Sequence, residues 1–263
     1  MRPALVAVFV ALLAVLPCRG RAPLPPPPGP QRLGPLDAVV VGRVVAFEDQ
    51  DIEASPRPKA EKITYRVAVV TVTQGLIGAK DKQTVRVGFI VGAGVEIGQD
   101  GLFYLSKHHQ EKFFVLPGFW DFTDRKNSAF DDELKTAQFA AKALAKPLEG
   151  LKSNDAVERL MTTAVLLYHY RSPRKGVTKT EPIPAQESKL ILTTLAELDW
   201  ALPHRHGQPS PLQLFRMLGQ TPKDGWDAQK YNDPAELERA ARAWLTDHAA
   251  SYRIQRFGPA ANK

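Results

Sequence analysis

The chain has 263 residues, 44% of them hydrophobic and 24% charged, with a formal net charge of +7. Those proportions describe an ordinary globular protein of one or two domains with a core of normal size. Loss of residues 1–22 would remove Arg2, Arg19 and Arg21 and no acid, taking the charge from +7 to +4. What remains is dispersed, with no dense Lys/Arg run and no aromatic–basic interleaving, so no nucleic-acid partner is expected.

Residues 1–22 read as a secretory signal. Arg2 gives a charged start, and Ala4–Leu16 is an apolar run too short to anchor stably across a bilayer. Gly20 and Ala22 are small residues placed for cleavage after Ala22, and cleavage after Gly20 competes because Pro23 would otherwise follow the cut. An uncleaved N-terminal anchor is the alternative. The expected destination is secretion, the periplasm or the cell envelope, with no membrane span after cleavage. Cys18 is the single cysteine; Pro17 before it departs from a lipoprotein signal, and its loss would leave a chain stabilised by core packing alone. Residues 23–36 form a Pro-rich linker. The four prolines Pro25–Pro28 favour polyproline II and predict an extended spacer through Pro35.

Residues 37–124 predict a β domain. Five apolar, β-branched runs stand at Val39–Phe47, Ile63–Thr73, Val85–Val91, Leu102–Leu105 and Phe113–Leu116. Gly42 inside the first marks a bulge or bend. In the second, Ile63, Tyr65, Val67 and Val69 share one face and Thr64, Arg66 and Ala68 the other; in the third, Val85, Val87, Phe89 and Val91 alternate with Thr84, Arg86 and Gly88. The charged stretch Asp49–Lys62 and the glycine-bearing Gly92–Gly98 are expected as exposed loops.

The series DAVVVGRVV, YRVAVVTVTQGLIG, TVRVGF, IGQDGLFYLS and FFVL over residues 37–116 resembles the netrin-like, tissue-inhibitor-of-metalloproteinase-like domain. The resemblance rests on the valine-rich first strand, the Gln74-Gly75-Leu76 turn and the Gly101–Leu105 strand. It implies a five-stranded antiparallel barrel of OB type in an extracytoplasmic setting. The zinc-chelating N-terminal Cys-x-Cys and the disulfides of the inhibitors have no counterpart here, so protease inhibition is not implied.

Residues 125–263 predict a helical domain of about five helices. Ser128–Lys146 carries the stripe Phe130, Leu134, Ala137, Ala141 and Leu144, with a capping-box-like start at Ser128 and Asp131. Asp155–Arg171, Ala185–Trp200 and a short helix from Pro211 closed by Gly219 follow. The last opens on Asp233-Pro234-Ala235-Glu236, a cap followed by proline at the first helical position. Tyr252–Phe257 is a short strand or a tail that packs back.

No motif for a nucleophile, phosphate loop or dinucleotide is present, and no cofactor is expected. Three clusters remain. Trp120, Asp121 and Asp124 lie in GFWDFTD at the junction of the halves; they would line a ligand groove, or the aromatics would staple the β domain to the first helix. His204 and His206 form an H-x-H in a proline-bounded loop, a partial metal site that needs further ligands, or two exposed histidines. His108-His109 reads as a polar hairpin turn. The fold class expected is α+β: a five-stranded OB-like antiparallel barrel followed by a mainly helical region. The function expected is a non-enzymatic binding or structural module outside the cytoplasm, contacting protein or cell-envelope polymer. The alternative is a metal-dependent or other hydrolase with its site at the junction of the halves.

Overall fold

The computed structural model describes residues 29–92, 94–118, 120–173, 179–200 and 209–258. Residues 1–28, Cys18 among them, lie outside that set, as do His204 and His206. Within it the protein is α+β, and no helix is long and apolar enough to cross a membrane.

Seven strands form one mixed sheet: β1 (Ala38–Phe47), β2 (Ile52–Ala54), β3 (Ile63–Ile77), β4 (Thr84–Ile90), β5 (Asp100–Lys107), β6 (Phe114–Val115) and β7 (Phe122–Asp124). The five-stranded, purely antiparallel arrangement expected from the sequence is corrected: β2 and β7 bring the sheet to seven strands, and one pairing is parallel. β4 and β6 run parallel, with Val87 opposite Phe114 and Gly88 opposite Val115. Residues 108–113 return the chain so that β6 runs antiparallel to β5, and beside β4 that direction is parallel.

β1 pairs on one side with β3 and on the other with β5, so the path β1-β3-β4-β6-β5 returns to β1. The bulge expected at Gly42 is there: the β1–β3 register shifts between Val41 and Gly42. A Cβ on Gly42 would stand 2.6 Å from the Thr71 carbonyl oxygen, which makes a side chain intolerable at this bend.

One face of the sheet buries Val40, Val44, Val70, Val85, Val87, Phe89, Phe103 and Leu105 in a single cluster. Ala68 belongs to it too, against the expected grouping of Ala68 with the polar face of its strand. Tyr65 and Val67, with the opposite parity, are also buried, in a smaller cluster beneath Ile52 of β2 and Phe113. β2 lies inside the charged stretch expected as an open loop and pairs Ile52 with Tyr65, so both faces of β3 are covered.

The outer face of β1 and β5 (Val39, Val41, Leu102, Tyr104) carries α2 (Phe130–Ala145) through Phe130, Ala137 and Ala140. The start of α2 differs from expectation. Its N-cap is Ala129, and Asn127 Oδ1, not Ser128, accepts the Ala129 N–H at 2.9 Å. The described part of the expected Pro-rich spacer also differs. Gly29–Leu33 is a short helix, α1, and Leu33 and Leu36 are buried in the same cluster as α2.

Beyond α2 come α3 (Pro147–Leu151), α4 (Ala156–Arg171), α5 (Ala185–Glu197), α6 (Pro211–Met217) and α7 (Pro234–His248), with a two-stranded ribbon of β8 (Thr180–Pro182) and β9 (Gln255–Phe257). Asp155 and Asp233 cap α4 and α7 by accepting from Val157 and Ala235 backbone N–H groups. Phe215 sits at the centre of the helical core, with ring centroids 4.7 Å from Trp226, 5.8 Å from Trp244 and 6.1 Å from Trp200. α4 is shared between cores: Val165 packs with α2 and the sheet, while Leu166 and Leu167 belong to the helical core.

α1 lies so close to α4 that a Cβ on Gly34 would stand 2.4 Å from Tyr168 Cβ and 2.7 Å from its backbone carbon. Gly34→Ala is therefore expected to cost about 1–3 kcal/mol, read as a lower denaturation midpoint with an unchanged slope.

Candidate functional site

The extended stretch Asp121–Asp124 alternates its side chains. Asp121 and Thr123 turn toward α1 and α2, while Phe122 turns to the cluster of Val87, Phe103 and Leu105, 4.7 Å from Phe103. β5 supplies Tyr104 on the same side as Asp121, and the Tyr104 N–H donates to the Asp121 carbonyl at 2.9 Å. The first turn of α2 supplies Glu133, and the last turn of α1 supplies Arg32.

These groups close around the guanidinium of Arg32. Its Nε donates to Asp121 Oδ1 at 2.8 Å and its Nη1 to Glu133 Oε2 at 3.1 Å. Its Nη2 donates to the Trp120 carbonyl. The guanidinium carbon lies 3.7 Å from the centroid of the Tyr104 ring, a cation–π contact. Glu133 Oε2 also accepts from Thr123 Oγ1 at 2.6 Å and from the Tyr104 hydroxyl at 3.2 Å. The Arg32 and Asp121 side chains are 7% and 4% exposed, and Glu133 opens 25% to solvent.

Burial pushes the Asp121 carboxyl above the usual aspartate range, opposed by the hydrogen bond and charge of Arg32 and by the Gly118 backbone N–H. Burial likewise raises the Tyr104 phenol, which stays protonated and serves as a donor to Glu133. One cation thus satisfies two carboxylates and a carbonyl at once, the arrangement that makes removal of any one member costly.

Of the residues singled out at this junction, Trp120 and Asp121 are brought into the cluster, Trp120 through its backbone carbonyl and with its side chain half-buried. Asp124 is not. Its Oδ1 accepts the Lys126 N–H at 2.8 Å and shapes the turn into α2. Arg32 and Tyr104 carry no local signal in the sequence: one follows a run of prolines, and the other is one aromatic in an apolar strand. Glu133 reads only as part of an acidic first turn.

The histidine pair past β5 is a turn, as expected, with its own structure. His108 Nδ1 accepts the Gln110 and Glu111 N–H groups at 3.2 and 3.0 Å, which leaves the proton on Nε2 to be donated to the Ser55 carbonyl at 3.0 Å. His109 Nε2 lies 2.6 Å from the same carbonyl, and the rings stack at 4.8 Å. Both imidazoles converge on one oxygen because β5 ends at Lys107, so the strand alternation that would have separated them no longer holds. The pair ties the β5–β6 turn to the end of β2. Among the described residues, no three His, Cys, Asp or Glu side chains are placed to hold a metal ion.

No protein-family model, curated protein or solved structure matches the chain.

Proposed function

We propose that the chain is an exported, non-enzymatic binding or structural module that acts outside the cytoplasm on a protein or cell-envelope polymer. The observation that carries this reading is the Arg32 cluster. Asp121, one of the three residues expected to line a groove at the junction, is buried and held by Arg32. It fastens α1, α2 and the sheet together and so builds a rigid platform. The same proposal takes the sheet to be a small barrel of OB, netrin-like type. The return of the strand path to β1, the bulged first strand and the side-chain-filled face of Phe103, Val87 and Leu105 support it. A filled interior places ligand contacts on the outer surface.

Two measurements test the function. The full chain, tagged at its C terminus and expressed in a bacterial host, is expected outside the cytoplasm with a mature start at Pro23 or Arg21; a cytoplasmic chain retaining Met1 overturns export. The purified mature chain is then expected to co-sediment saturably with isolated cell envelope. Turnover of an ester, phosphate or glycoside that disappears in Asp121→Asn would overturn the non-enzymatic reading.

A further inference from the structure

A second buried carboxylate lies far from the Arg32 cluster, in the helical half. Glu187 stands in the first turn of α5 and is 4% exposed. Its Oε1 accepts the Tyr170 hydroxyl of α4 at 2.6 Å. It lines a pocket of about 360 Å³ between the start of α3 and the start of α5, walled by Pro147, Leu148 and Pro184 together with Lys146, Glu149 and Gln186. That volume is at the small end of ligand-binding clefts, and a mainly apolar surface with a few placed polar groups is their usual composition.

The charges around Glu187 are otherwise matched to one another. Lys146, the N-cap of α3 and part of the pocket wall, pairs with Glu149 at 2.8 Å. On the ribbon, Arg256 of β9 places two nitrogens 2.8 and 2.6 Å from Glu181 Oε1 of β8. Arg256 attracts Glu187 only at longer range. Among the described residues, then, Glu187 is the acid of the pocket whose hydrogen-bond partner is a neutral phenol. Burial raises its carboxyl above the usual glutamate range, with Tyr170 and Arg256 working against the rise. A carboxylate held in an apolar recess gains most from a cation that arrives with its own apolar surface.

We propose that this pocket binds a primary ammonium carried on an alkyl stem, the ammonium against the Glu187 carboxylate and the stem against Pro147, Leu148 and Pro184. The ammonium is favoured over a guanidinium by geometry. Tyr170 already takes one acceptor site of Oε1, so a two-pronged guanidinium would have to share that oxygen with the phenol, whereas a point-like ammonium can be met by the other oxygen alone. The source is a free alkylamine or the lysine side chain of a partner. The inference deepens the binding reading, and its failure would leave export and the barrel untouched.

The test uses the full chain and titrates n-butylammonium against butan-1-ol, its neutral counterpart, by ligand-observed NMR at low ionic strength. The amine is expected to bind at least about tenfold tighter. Glu187→Gln, nearly isosteric, is expected to erase that difference. Equal binding of amine and alcohol overturns the proposal, as does amine binding unchanged in Glu187→Gln. Should that variant fail to fold, a pH series on the unaltered protein decides. Amine binding is expected to weaken on acidification at a pH above the ordinary glutamate range while alcohol binding stays flat; a flat amine profile overturns the assignment. A Gly-Lys-Gly peptide blocked at both ends then separates the sources. Binding tighter than butylammonium assigns a partner's lysine, and equal or weaker binding assigns a free amine.

Discussion

Arg32→Ala is expected to lower stability by about 3–5 kcal/mol, because it leaves Asp121 and Glu133 facing each other with no cation between them. For a chain of this size that corresponds to a drop in Tm of about 10 °C, readable by circular dichroism. Arg32→Lys is expected to recover only part of the loss, since one ammonium cannot reach Asp121, Glu133 and the Trp120 carbonyl together. The pH dependence carries a further signature. A carboxyl raised in the folded state binds its proton more readily there than when unfolded, so its contribution to stability falls as pH rises through the shifted range. Asp121 is such a group even with Arg32 present. Without Arg32 the shift grows, so the variant is expected to regain part of its lost stability between neutral pH and about pH 5. A variant equally weakened across that range would argue against an orphaned acid.

Phe215→Ala is the second large effect. Phe215 is fully buried and touches the rings of Trp200, Trp226 and Trp244. Its truncation leaves a cavity that three indoles cannot easily fill, at a cost of about 3–5 kcal/mol. The consequence extends beyond the helical core because α4 serves both cores, with Val165 on one side and Leu166 and Leu167 on the other. The sheet and the helices are therefore expected to melt in one transition, at the same lowered temperature by near-ultraviolet and far-ultraviolet circular dichroism. Two separated transitions would show that α4 does not couple them.

Much of this architecture is legible in the sequence where the determinants are local. The cap signatures at Asp155 and Asp233 mark the starts of α4 and α7 because an N-cap acts within two residues of itself. Gly42 announces the bulge in β1 because a strand interior tolerates glycine poorly without a steric reason. Where the determinants are distant, the sequence misleads. The alternation in β3 makes Tyr65 and Val67 look like the main core positions, yet Ala68 and Val70 fill the larger cluster; β2 and Phe113 bury the first pair from outside. Proline-rich composition hides α1, whose helix is held by tertiary contacts with α2 and α4 and by the arginine it carries. Within the site, Trp120 and Asp121 stand out as an aromatic beside an acid. That Asp121 is held by Arg32, 89 residues earlier, is visible only in the fold.

The account rests on the Arg32–Asp121 contact fastening the junction. A double-mutant cycle measures that directly. Arg32→Met, Asp121→Asn and the pair together are unfolded in guanidinium chloride at pH 7, and the interaction free energy is taken from the four stabilities. The account predicts a coupling of about 2 kcal/mol or more, with the double variant no less stable than Arg32→Met alone. Additive losses, with a coupling near zero, would contradict it and return Asp121 to the residues free to meet a ligand.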